Sequence, residues 1–117
     1  MIIKIIKKYI YEYIDKMDIT ISKSKNKDKK FDAIINGKKR VSFGDSNYKD
    51  YTQHKDPERR SNYISRHGNE DHTKKNIASP AYMSRHILWG EPTIEQSIDK
   101  LNKKYKDITF TYSPHKK

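Results

Sequence analysis

A chain of 117 residues, 32% hydrophobic and 35% charged, has room for one domain with a small core. Its nine Tyr, three Phe and single Trp must supply much of the buried area. The net charge of +11 favours a polyanionic partner, and the absence of Cys excludes disulfides and thiolate zinc sites.

Residues 2–17 place Ile2, Ile6, Tyr9, Ile10, Tyr13, Ile14 and Met17 at helical spacing, with Lys7, Lys8, Glu12 and Lys16 opposite. An amphipathic N-terminal helix over 1–17 is therefore expected, packed on its own domain or on a second copy in a homo-oligomer. Lys4, Lys7 and Lys8 interrupt the apolar start, which is too short and too charged to span a bilayer, and no small-residue cleavage site follows. A soluble intracellular protein is the expectation.

Asp18–Ser22 alternates like a short strand, and Lys23–Lys30 forms a Lys-rich tip. Phe31–Ile35 and Arg40–Phe43 flank Asn36-Gly37, the strongest short hairpin signal. Three antiparallel strands in a meander are predicted, with Ala33, Ile35, Val41 and Phe43 facing inward. Asp56-Pro57-Glu58 predicts a helix over about 57–67 that ends at Gly68. Residues 68–78 are polar and expected as an exposed loop. Ser79-Pro80 opens a helix expected to reach Trp89, with Gly90 and Pro92 beyond. Trp89 is expected to anchor the core against the next helix. That helix starts at the capping box Thr93–Gln96 and carries an apolar stripe of Ile94, Ile98, Leu101 and Tyr105. Asp107–Tyr112 could add an edge strand. The fold class is thus α+β: one domain over 18–112, a meander followed by three short helices, and a disordered tail at 113–117.

The run 41–67 interleaves aromatic, imidazole and guanidinium groups, and it supports two readings. In the first, Arg59, Arg60 and Arg66 hold phosphates while Tyr63 and Tyr51 stack or donate, with Lys55 and His67 beside them and the tip lysines adding non-specific attraction. In the second, the same Tyr, Arg and His side chains pin the helix to the meander and to Asp45 or Asp50. Arg85 could pair with Glu91 or a phosphate. The charge itself has a bland source as well, because an A/T-rich coding genome over-supplies Lys, Ile, Asn and Tyr.

His54, His67, His72 and His86 invite a metal reading, but their spacing matches no zinc pattern and His67 and His72 straddle a glycine. No nucleophile elbow, phosphate-binding glycine loop or paired-carboxylate context is present. No catalytic residue, metal or cofactor is therefore assigned, and an enzyme is not expected. A metal-dependent nuclease around His67 and His72 is the distant alternative.

Phe31-Asp-Ala, Gly37-Lys-Lys-Arg-Val-Ser-Phe-Gly44, Tyr48-Lys-Asp-Tyr51, His54-Lys-Asp-Pro-Glu-Arg59, Tyr63-Ile-Ser-Arg-His67 and Ser84-Arg-His-Ile-Leu-Trp89 resemble an uncharacterised domain carried by giant DNA viruses of the mimivirus kind. The resemblance covers roughly residues 30–105 and implies a viral context, in the host cytoplasm or the virion. The expected function is a non-catalytic basic protein contacting nucleic acid through Lys/Arg and aromatic residues. The alternative is a minor virion structural protein that binds other proteins.

Overall fold

The computed structural model describes residues 16–70 and 72–114. Four strands form one sheet: β1 (Met17–Lys23), β2 (Lys29–Ile35), β3 (Lys39–Asp45) and β4 (Ile108–Ser113), in the order β3-β2-β1-β4. The first three are the expected antiparallel meander, each longer than its alternating core suggests. Asn36 and Gly37 have φ of +54° and +70°, the positive pair that a tight hairpin turn needs, and Lys38 N–H closes the turn on Ile35 O at 3.0 Å. The expected edge strand exists as β4 and runs parallel to β1, which makes the sheet mixed.

Four helices follow the meander: α1 (Tyr51–His54), α2 (Pro57–Arg66), α3 (Pro80–Met83) and α4 (Ile94–Lys104). Ile19, Ile21, Ala33, Ile35, Val41 and Phe43 point from the sheet into the core, as do Ile108 and Phe110. Tyr82, Met83, Ile87, Leu88, Ile98 and Leu101 meet them from the helices. All four inward positions expected on the meander are buried. No helix among the described residues is long and apolar enough to cross a membrane.

Several expectations need correction. The helix over 1–17 falls on residues outside the described ones up to residue 15, while Met17 opens β1 instead of closing a helix. Ser113 belongs to β4 rather than to a frayed tail, and residues 115–117 lie outside the described residues. The 68–78 segment is not wholly an exposed loop, since a 3₁₀ turn at Lys74–Asn76 delivers Ile77 into the core at 5% exposure. Helix α1 was not anticipated; Asp50 caps it reciprocally with Gln53 in a capping box that lacks the usual Ser or Thr.

The largest correction concerns Trp89. The 3.6-residue period carries Tyr82, His86 and Trp89 along one helix face. After Met83, however, the chain widens into a π-helical turn over Ser84–Leu88, closed by Trp89 N–H to Ser84 O at 3.0 Å. The extra residue in the turn leaves Trp89 at the margin of the core, half-buried and packed against it. Tyr82, fully buried, takes the anchoring role against α4 instead, and its hydroxyl shares a 2.7 Å hydrogen bond with the Tyr105 hydroxyl. Burial first, and this bond second, push the Tyr82 phenol well above its ordinary pKa.

The sheet face opposite the core is polar, and Asp32, only 1% exposed, organises it. Its carboxylate accepts from Ser42 Oγ (2.6 Å), Ser24 Oγ (2.7 Å) and Arg40 Nη1 (2.7 Å). Burial raises the Asp32 pKa, but these bonds together with the Lys25 N–H outweigh it and hold the carboxyl below 3.8. At the sheet edge, the Asn102 amide donates to Phe110 O at 2.9 Å and its carbonyl accepts from Phe110 N–H at 2.7 Å. This clasp occupies backbone groups that a foreign strand would otherwise use.

Two stability predictions follow from these contacts. Tyr82→Phe leaves the Tyr105 hydroxyl without its buried partner and should cost about 1–3 kcal/mol in denaturant unfolding; an unchanged midpoint would show that the pair contributes nothing. The depressed Asp32 carboxyl contributes stability that is present above its unfolded pKa and lost as pH falls through its folded pKa. Asp32→Asn should therefore flatten the acid limb of the stability curve below about pH 4, read by urea unfolding across that range.

Candidate nucleic-acid interface

Local sequence places α2 with its charged face outward. Asp56 caps it by accepting from Glu58 N–H at 2.9 Å and Arg59 N–H at 3.4 Å, and Pro57 supplies the preset first turn. Arg59, Asn62, Tyr63 and Arg66 then share one face at i, i+3, i+4 and i+7. That face forms one wall of an open cleft of about 920 Å³ between α2, the start of β2, the β3–α1 connection and α3 with its π-helical extension.

The floor of the cleft is apolar, from Ala81, Leu88 and the Trp89 ring. Gly44 also lines it at φ +81°, a backbone conformation that favours glycine, and a Cβ there would fall 2.7 Å from Leu88 Cδ1. The rim is cationic. Lys29, Lys49, Arg59 and Arg66 line it and make no ion pair among the described residues. Two of the three acids in the cleft are already engaged, Asp50 by Lys30 at 2.7 Å and Glu70 by His67. Tyr48 stands at the mouth, 71% exposed, the one large exposed hydrophobic side chain among the described residues.

The seven residues singled out from the sequence divide into two groups. Arg59, Tyr63, Arg66 and His67 meet in the cleft. Lys55, Arg60 and Tyr51 do not line it and serve the fold. Lys55 adopts φ +57° and donates to both Thr52 O and Pro92 O at 2.8 Å, tying the end of α1 to the loop before α4. Arg60 donates from Nε to Trp89 O at 2.9 Å and lies 5.6 Å over the Tyr51 ring. Arg85 also reaches Trp89 O, at 3.5 Å, while Glu91 pairs with Lys100 instead.

Along the cleft and beyond it the rings run in series. Tyr51 meets His54 edge-on, His54 meets Trp89 at 5.3 Å, and Trp89 lies flat on Tyr63 at 4.2 Å and 1°. Tyr63 then stacks on His67 at 4.2 Å. Because Trp89 and His67 both stack closely on Tyr63 without pairing with each other, they occupy its two faces. Tyr63 therefore presents no free face for a base. Burial first, and the Glu70 charge second, push its phenol up to about 12, so it stays protonated.

The remaining histidines are structural in their contacts. His54 Nδ1 accepts from Asp56 N–H at 2.9 Å, which leaves the proton on Nε2. That buried Nε2–H has no hydrogen-bond acceptor, and its ring packs against Trp89. His72 Nε2 lies 3.1 Å from His67 O, and His86 Nε2 lies 3.2 Å from His72 O while its ring packs on Tyr82 at 4.1 Å. Among the described residues no group of three or more His, Asp or Glu side chains converges as a metal site would.

Tyr48 belongs to the aromatic run 41–67 and Lys29 to the Lys-rich tip, whereas Lys49 and Asn62 were not singled out from the sequence. Asn62 was within reach, since it shares the Arg59–Arg66 helix face. The lysines arrive from strand and loop segments whose meeting with α2 no local pattern encodes.

Burial drives the His86 pKa down to about 4 from 6.5, against the raising effect of its bond to His72 O. Burial likewise lowers His54. Between about pH 6.5 and 4 the unfolded chain binds more protons than the folded one, so stability falls on acidification across that window. His86→Gln should make the loss between pH 7 and 4.5 shallower, with His54 retaining part of it; equal pH slopes in urea unfolding would contradict this.

Residues 19–67, less than half of the chain, match a family of unknown function (DUF5754). The match begins in β1 and ends one residue past α2, so it includes Tyr48, Lys49 and the cationic helix face but not Trp89. It supports an uncharacterised domain in this part of the chain. No curated protein and no solved structure shows significant similarity to the chain.

Proposed function

We propose that this chain is a non-catalytic basic binding protein that contacts nucleic acid through the cleft beside α2. The observation that carries the reading is the set of four cations, Lys29, Lys49, Arg59 and Arg66, that form no ion pair among the described residues and surround the exposed Tyr48 ring. A rim of this kind attracts phosphates at successive positions, with Arg able to donate in bidentate fashion. The net charge of +11 adds long-range attraction.

The non-catalytic part of the reading rests on how the cleft's titratable groups are used. Tyr63 is held protonated between two rings, and His67 is engaged by Glu70 and by that stack. A Tyr63 held protonated is not available as a base toward the cleft. The viral setting, in an infected cell or a virion, rests on the sequence resemblance over residues 30–105.

Affinity for random-sequence nucleic acid should be measurable at low salt and fall steeply as salt rises. Arg59→Ala and Arg66→Ala should each weaken binding and reduce the slope of log affinity against log salt by about 1. Absence of binding at low salt, or slopes unchanged in both variants, would overturn the proposal.

A further inference from the structure

We infer that the cleft takes an unpaired nucleotide, so that the preferred partner is a single strand rather than a duplex. This rests on the nucleic-acid reading above and deepens it.

The shape is the first ground. A duplex offers a convex cylinder with phosphates outside and bases stacked within, and it uses basic surface rather than apolar recess. Here the cations sit on the rim of a concavity of about 920 Å³, and its floor is Ala81, Leu88 and Trp89. That volume suits a ligand the size of a nucleotide or two. A single strand can turn a base out of its stack, lay it on the apolar floor and leave its phosphates at Lys29, Lys49, Arg59 and Arg66.

Tyr48 is the second ground, and it is independent of the volume. Its ring is 71% exposed and enters no ring–ring contact among the described residues, whereas Tyr63, Trp89, His54 and His67 are already committed to one another. Within the cleft Tyr48 is the aromatic plate with free faces, and it stands beside Lys49 on the rim. Base–aromatic stacking needs such a plate, and only an unpaired base can use it.

The test uses the full chain with an oligo(dT) strand and with the same strand paired to oligo(dA), at one salt concentration. Trp89, the single tryptophan, reports occupancy of the cleft through its fluorescence. The expected result is at least about tenfold tighter binding of the single strand, with quenching of Trp89. Tyr48→Ala should weaken single-strand binding by about 5- to 100-fold and leave duplex binding unchanged, while Tyr48→Phe retains it. The exposure of Tyr48 keeps these variants folded. Equal affinity for both forms, or a Tyr48→Ala variant indistinguishable from the parent, overturns the single-strand inference while leaving a basic binding protein in place. Failure of both forms to bind at low salt overturns the inference and the function it rests on together.

Discussion

Trp89 lies flat on Tyr63, and that stack joins the two halves of the helical layer. Tyr63 belongs to α2, which has no fully buried residue of its own, and Trp89 ends the segment that carries Tyr82, Met83, Ile87 and Leu88 into the core. Without the stack α2 would have little apolar surface to hold it. Arg60 reinforces the contact by donating to Trp89 O, and His54 and His67 extend it to either side. These contacts together set the orientation of the Arg59–Arg66 face, and with it the wall of the cleft. Aromatic pairs contribute only about 0.5–1.5 kcal/mol beyond their buried area, so the series matters more than any single member.

Polar groups do comparable work elsewhere. With 32% hydrophobic residues the core is limited, and two nearly buried carboxylates fasten what it does not reach. Asp32 gathers Ser24, Ser42 and Arg40 on the outer sheet face. Asp50 caps α1 and receives Lys30 from β2, so the helix start is bolted to the sheet. Each carboxylate is satisfied by several donors, which is the condition under which burying a charge is tolerable. The charged side chains therefore divide by role: Lys30, Arg40, Lys55 and Arg60 hold the fold, while Lys29, Lys49, Arg59 and Arg66 are left to face the cleft.

The two readings of the run 41–67 thus describe different residues of one segment. Lys55, Arg60 and Tyr51 make the pinning contacts, with Asp50 as an anchor. Arg59 and Arg66 stay exposed on the cleft face of the helix. Tyr63 looks outward in sequence yet has both faces covered, and Tyr48, at the start of the same aromatic run, has the exposed ring.

Much of the fold was written in local chemistry. Alternation placed Ala33, Ile35, Val41 and Phe43 inward, Asn36-Gly37 set the hairpin, and Asp56-Pro57 and Thr93 started their helices, because period, turn and cap are properties of a few neighbouring residues. Tertiary structure alone decided what depends on distant partners. The π-helical turn that leaves Trp89 at the margin of the core is invisible to a 3.6-residue count, since one inserted residue shifts every later side chain around the axis. The meeting of Lys29 and Lys49 with α2 required the packing of α3 against β3 and the stack of Trp89 on Tyr63. Sequence by itself determined that the chain is a basic α+β domain with a cationic helix face. Which cations stay free, and which ring remains open to a ligand, were decided by packing, because only contacts between remote segments consume one donor or ring face and spare another.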